Sequence, residues 1–338
     1  MKISLTDLKL KLETILRYKG LSAHEAEIVA EPFIRAELSG KKTHGITKFF
    51  LIDEAITMRE GRPEIIKDKM NYALIDAHKE LGYITAQFAC DQLIEKAKKF
   101  DNAFIAVNNS YYFSMAGMYA EKIADAGFIS VVLCNGGPAA VAPFGGVDPV
   151  LGTNPISIGI PTMHGSIVLD MATSAAPWGE INLAKLECRS LADKTFLDTS
   201  GEFTSDPQKV EAIIPFGGHK GAGLNFMFEI LTGAFVSAKM GLRSKNGYDL
   251  GFLFMAFSPD MFSSQSDFNQ EVEQLVLDVK NGRRVIGVDE IFIPGEKSGN
   301  IYRKNIENNS IEINEKTLEN LDILLQGGDV KKEMNLKE

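Results

Sequence analysis

Cysteine is scarce in the 338-residue sequence: only Cys90, Cys134 and Cys188 are present. They are odd in number, far apart and never spaced as CxxC, so neither a disulfide framework nor a metal site is indicated. A reducing, cytoplasmic setting is the expectation. No apolar run approaches the roughly 20 residues that cross a bilayer. The opening MKISLTDLKLKLE carries a charge every few residues and no signal-peptide core, which predicts no export. Positive charge is short as well, since 36 Lys and Arg face 45 Asp and Glu for a formal net charge of −9. That excludes the basic field a nucleic acid or an anionic membrane surface requires. Both phosphate-cradling fingerprints, GxGxxG after a strand and GxxxxGK[ST], are missing too. On local grounds, therefore, no nucleotide cofactor can be read.

What is present is an ordinary globular composition, 45% hydrophobic and 24% charged, on a chain long enough for two lobes. Leu5, Leu8, Leu12 and Ile15 share a helical face that stops at Gly20. Ser22 and Glu25 form a capping box for a second helix with Ala26, Val29, Ala30 and Phe33 on one face, and Pro32 inside it predicts a local kink. From about residue 70 the pattern alternates. A helical stripe (Ala86 to Phe100) precedes an apolar strand (104–107). A helix over 116–127 leads into a buried strand over 128–135. Later come a strand over 166–172, a helix starting near Gly223, an apolar strand over 252–257, and amphipathic helices around Leu275 and Leu321. The charged tail after Gln326 reads as frayed. Apolar strands alternating with helices predict an α/β core with a covered sheet.

Residues 135–223 hold dense Gly/Pro clusters, NGGPAAVAPFGG, LGTNP, GIP and PFGGHKGAGL. Such loops either line a site, because bare backbone approaches a ligand closely, or serve as connectors. Three local constellations bear chemistry. His44 in THGITK has the hydroxyl of Thr43, a flexible Gly45 and the cation of Lys48 beside it, and an imidazole is a natural proton donor to a carbonyl receiving hydride. Taken alone, however, it reads first as an ordinary surface or helix-end histidine. LDMATS ends an apolar strand in Asp170 with the hydroxyls of Thr173 and Ser174, a cofactor-binding or a turn-capping pattern. GGHKGAGL places glycines and Lys220 at a helix start, either an anion site or a flexible turn. His24, His78 and His164 read as structural.

Taken together and in this order, LGTNPISIGIP, IVLDMATSAAPWGEINLAK, TSDP and PFGGHKGAGL resemble the second type of malate/L-lactate dehydrogenase, over about Ser4 to Glu296. That family also holds ureidoglycolate dehydrogenase, diketogulonate reductase and piperidine-2-carboxylate reductase. The resemblance implies a non-Rossmann fold: a mixed sheet in a nicotinamide-binding and substrate domain (69–289), and a helical domain built from both chain ends (1–68 with 290–338). It implies a homodimer using NAD or NADP to interconvert a small 2-keto acid and its 2-hydroxy acid (malate, lactate, ureidoglycolate or diketogulonate-like). The family's serine–histidine–glycine motif falls on Thr43, His44 and Gly45, with His44 as general acid/base. Thr43, Lys48 and Asn154 are implied at the substrate. The cofactor segment falls on Asp170, Met171, Ala172, Thr173, Ser174, Ala175 and Ala176, with His219, Lys220, Pro294, Gly295 and Glu296 as further cofactor contacts.

Several positions depart from the family pattern. NSYYFS puts Tyr112 where a second active-site histidine is usual and Ser114 where glycine is usual. A phenol titrates near pH 10, so Tyr112 is cast as a hydrogen-bond donor to the substrate rather than a proton shuttle. Lys48 replaces the usual arginine, which loses bidentate carboxylate recognition. His219 stands where tyrosine is usual, and LECRSLADKTFL (186–197) lacks the family's glycine–proline pattern. Lys185 and Arg189 are candidates to meet a cofactor 2′-phosphate. Two alternatives stand beside the leading expectation: reduction of a cyclic-imine carboxylate, and a catalytically impaired homologue that binds nucleotide as a sensor or partner module.

Overall fold

Serine caps start the first helices. Ser4 accepts from the Asp7 N–H, and Ser22 and Glu25 complete a reciprocal capping box. The computed structural model describes residues 1–245, 247–328 and 330. In chain order it begins with β1 (Lys2–Ser4), α1 (Leu5–Tyr18) and α2 (Ala23–Leu38), then the short α3 (Ile46–Phe49) and α4 (Ile52–Thr57). There follow β2 (Glu64–Asp68), β3 (Tyr72–Asp76), α5 (Gly82–Phe100), β4 (Asn102–Ser110), α6 (Ala116–Asp125) and β5 (Ile129–Cys134). Next are β6 (Ile156–Thr162), β7 (Gly165–Met171), α7 (Gly179–Leu186), β8 (Phe196–Leu197), β9 (Ala212–Ile213) and α8 (His219–Thr232). The chain continues with β10 (Leu250–Phe257), α9 (Gln265–Lys280), α10 (Glu296–Glu307), β11 (Ser310–Glu312) and α11 (Glu315–Leu325).

The architecture is mixed α/β. Seven strands form one sheet in the order β2-β3-β4-β10-β5-β6-β7, in which β3 and β4 run parallel and the other neighbours antiparallel. β10 lies at the centre and is buried on both faces, which is why LGFLFMAF is a continuous apolar run rather than an alternating one. Phe252 and Phe254 pack with α5 and α6 on one face, while Leu253 and Leu133 meet Phe228 of α8 on the other. Segments from both chain ends share a separate core. β1 pairs antiparallel with β11, and Leu8, Leu12 and Phe33 pack with Leu321 and Leu324. Val330 is buried in the same core, against the expected fraying after Gln326; positions 329 and 331–338 of that tail lie outside the described residues.

α2 runs unbroken across Pro32. The helix expected near Gly223 begins four residues earlier, at His219, because Gly217 and Gly218 absorb the turn at φ +56° and +64°. Gly295 sits left-handed at φ +80° and opens α10. Register sets where a site can form. Leu250 pairs with Ser110, Phe252 with Cys134, Leu133 with Ile156 and Ile156 with Met171. The ends of β4, β5 and β7 and the starts of β6 and β10 therefore meet at one edge of the sheet.

Candidate active site

At that edge the structure forms a cavity of about 570 Å³ lined by residues from seven separate stretches of the chain. His44 enters it from a 3-10 turn (Lys42–His44) between α2 and α3. Glu37, in the last turn of α2, fixes this turn by accepting the Ile46 N–H at 2.8 Å. Gly45 permits the approach, since a Cβ there would lie 2.0 Å from Glu37 Oε1. The half-buried His44 ring has Nδ1 3.0 Å from Thr43 Oγ1. Burial lowers its pKa to about 4; the Asp170 charge opposes that, while Lys41 and Lys48 reinforce it. His44 is thus a neutral imidazole at pH 7. Lys48 and Lys245 line the same cavity.

Asp170, at the end of β7, receives the Lys41 ammonium on Oδ2 at 2.6 Å and the Ser157 hydroxyl on Oδ1 at 2.6 Å. Burial works to raise its pKa, but the Lys41 charge and hydrogen bond, then Ser157 and His44, hold it below the ordinary carboxylate range. Gly117, in the first turn of α6, packs on Asp170 so tightly that a Cβ would lie 2.8 Å from its Cβ. Lys41, Met115 and Asp170 also border a second cavity of about 480 Å³, so the two cavities meet at the Lys41–Asp170 pair.

Tyr112 lines the first cavity, and burial pushes its phenol upward, so it stays neutral. The turn that carries it is anchored by Phe113, which meets Phe252 edge-on with centroids 4.4 Å apart. Ser114, at the position where glycine is usual, adopts φ +73°. Gly136, Gly137, Pro138 and Ala140 form the opposite wall, which makes the NGGPAA cluster part of a site rather than a connector.

The expected site residues divide. Thr43, His44, Lys48, Tyr112, Asp170, Met171 and Ala172 line the first cavity, and Pro294, Gly295 and Glu296 line the second. Gly295 is doubly constrained, by its φ and by Val168 O lying 2.7 Å from where a Cβ would be. Thr173 is buried beneath the cavity floor, its hydroxyl donating to the carbonyls of Thr153 and Asn154, and Ser174 donates to Ala176 O. Ala175 and Ala176 line neither cavity. Asn154 is fully buried and hydrogen-bonded to Gly136, Asn225 and Glu229; its neighbours Thr153 and Pro155 form the wall instead. His219 and Lys220 are exposed at the start of α8 and border neither cavity. Arg189 is committed to Glu180 and Glu187, and neither it nor Lys185 lines a cavity. His164, read as structural, lines the second cavity 3.4 Å from Glu273. Lys41 and Ser157 escaped sequence reading; the basic pair before THG was the available signal for Lys41. Among the described residues no His, Cys, Asp and Glu are grouped to hold a metal ion, and no helix is long and apolar enough to cross a membrane.

Comparison with known proteins gives this geometry a lineage. The malate/L-lactate dehydrogenase family model matches residues 3–322. The L-sulfolactate dehydrogenase of Methanothermobacter thermautotrophicus is 34% identical over 92% of this chain and 92% of its own. The malate/(S)-sulfolactate dehydrogenase of Methanothermus fervidus is 33% identical over 91% of this chain and 92% of its own. The solved sulfolactate dehydrogenase of Methanocaldococcus jannaschii superposes with a TM-score of 0.86 at 30% identity, covering 100% of this chain and 98% of that one. The chain belongs to the malate/L-lactate dehydrogenase family and is an oxidoreductase of that family.

Proposed function

We propose that the protein interconverts a small 2-hydroxy acid and its 2-keto acid with NAD or NADP as hydride partner, His44 exchanging the proton. The observation that carries this reading is the convergence of His44, Lys48, Tyr112 and Asp170 on one cavity that adjoins a second at Lys41–Asp170. Two adjoining cavities, each of a size that takes a small ligand, fit the two halves of a dinucleotide. The N-terminus of α6 at Met115 to Gly117 lies where they meet, and that of α10 borders the second. Backbone N–H groups at such ends favour anions, which supports pyrophosphate binding without a glycine fingerprint. Met171 and Ala172 would hold the nicotinamide half, and Pro294 to Glu296 the other. Bound there, the nicotinamide supplies the hydride donor or acceptor.

The protein's own part is charge and proton handling. With Nδ1 engaged by Thr43, Nε2 of His44 is the atom that takes the hydroxyl proton in oxidation and returns it in reduction. Asp170 stabilises the imidazolium that forms. Lys48 orients the substrate carboxylate, and the neutral Tyr112 phenol donates to the substrate oxygen. Lys245 on the same wall favours an acid with a second anionic group, as in malate or sulfolactate. The exposed apolar residues Leu224, Met227 and Ile230, spaced along one face of α8, support assembly as a homodimer.

The test is a panel of mono- and dianionic 2-hydroxy acids with NAD and NADP, run on the wild-type protein and His44→Ala. Turnover that His44→Ala abolishes supports the reading. Undiminished turnover in His44→Ala removes the role of His44. Turnover of cyclic imines alone, or nucleotide binding with no turnover, replaces the reading with an imine reductase or a binding module.

A further inference from the structure

Three of the chain segments that wall the substrate cavity trace back to one buried carboxylate on the far side of the sheet edge. Glu229, on α8, is 4% exposed. Its Oε2 accepts the Asn154 Nδ2 amide at 2.5 Å. Its Oε1 accepts the Gly241 N–H at 2.6 Å and the Asn135 amide at 3.4 Å. Each partner passes the constraint on to the cavity wall. Asn154 Oδ1 accepts the Gly136 N–H at 2.9 Å, and Asn135 Oδ1 accepts the Gly137 N–H at 3.2 Å. Asn135 also donates to Lys239 O at 3.2 Å, just before the segment that carries Lys245 and Gly247 to the cavity. The packing is tight enough to transmit position: a Cβ on Gly136 would lie 2.4 Å from the backbone nitrogens of Thr153 and Asn154.

We infer that Glu229 is a positioning residue for the substrate cavity, holding the stretches 136–140, 153–155 and 239–245 in mutual register. The inference rests on the preceding reading that this cavity binds the hydroxy acid. Only a carboxylate suits the position. Three N–H donors converge on it, and a carboxylate accepts on both oxygens whereas a carboxamide turns one donor of its own towards them. Glu229 does not itself line the cavity, so its effect on substrate passes through the groups it holds, Asn135, Asn154 and Gly241.

Glu229→Gln tests this in the full-length protein. The KM for the hydroxy acid is expected to rise about tenfold or more, as sub-ångström wall displacement does, with KM for the nucleotide little changed. Independently of activity, amide exchange in the free protein should accelerate over 134–141 and 239–245 while α1 and α2 keep their protection. Glu229→Asp, which keeps the charge one methylene back, should show the same pattern more weakly and serves where Glu229→Gln does not fold. Unchanged KM and exchange, or protection lost evenly across the sheet, would overturn the inference. Should the wild-type protein turn over no hydroxy acid, the functional reading fails, and the exchange measurement still decides whether Glu229 holds these walls.

Discussion

The Lys41 ammonium lies 2.6 Å from Asp170 Oδ2, and this pair forms the shared border of the two cavities. Asp170→Asn leaves Lys41 without its counter-ion and removes the charge that raises the His44 pKa. His44 becomes a weaker base, so kcat/KM for oxidation should fall by about 10- to 100-fold. The broken, partly exposed pair should also lower stability by roughly 1–3 kcal/mol in urea unfolding. Lys41→Met/Asp170→Asn should regain stability without regaining activity. A single variant as active as wild type would sever Asp170 from the chemistry.

The His44 pKa of about 4 sets the direction of the pH profile. Oxidation needs the neutral imidazole. Its kcat/KM should therefore fall as pH drops through about 4 and be level in this group's contribution above about 6. Reduction needs the imidazolium and should show the opposite limb, slowing as pH rises past the same value. His44→Ala should erase both limbs and cost about 10²- to 10⁴-fold in kcat. Persistence of the acid limb in His44→Ala would assign it to another group.

Much of this arrangement was legible in the chain and some was not, for physical reasons. The capping box at Ser22, the apolar β10 and the strand ending in Asp170 are local patterns that tertiary contacts reinforce. β2 escaped because its apolar residues are few and β6 because Gly and Pro break its run, and pairing in the sheet defines both instead. The Lys41–Asp170 contact spans 129 positions, and no spacing rule reaches that far. His219–Lys220 has the local signature of an anion-binding helix start, but the fold directs it away from both cavities. Asn154 shows the converse: a polar residue beside the site whose side chain is used up by Gly136, Asn225 and Glu229 and does not line the cavity.

Tyr112→Phe isolates the phenol. The ring keeps its packing near Tyr111, with centroids 6.5 Å apart, and only the hydroxyl is lost. One hydrogen bond to the substrate oxygen corresponds to about 1–2 kcal/mol, so kcat/KM should fall roughly 5- to 30-fold. The pH limb near 4 should stay in place, because burial keeps this phenol from titrating there. Unaltered kcat/KM would leave Tyr112 as wall rather than donor.

Ser114→Gly concerns the backbone beneath that tyrosine. Ser114 holds φ +73° in a turn pinned by Phe113 against Phe252, Phe254 and Tyr119. The core fixes the ring, so the turn cannot relax to a negative φ without pulling Phe113 out of place. A side chain in the left-handed region costs about 1–2 kcal/mol, and glycine removes that strain. Glycine also gains freedom in the unfolded chain, which offsets about 0.5–1 kcal/mol. Ser114→Gly should therefore stabilise the protein by about 0.5–1 kcal/mol, read as a higher urea midpoint at constant slope. Ser114→Ala controls for the hydroxyl because it keeps the strained Cβ, and it should not reproduce the gain. Equal midpoints for the two variants would locate the effect in the hydroxyl and not in φ.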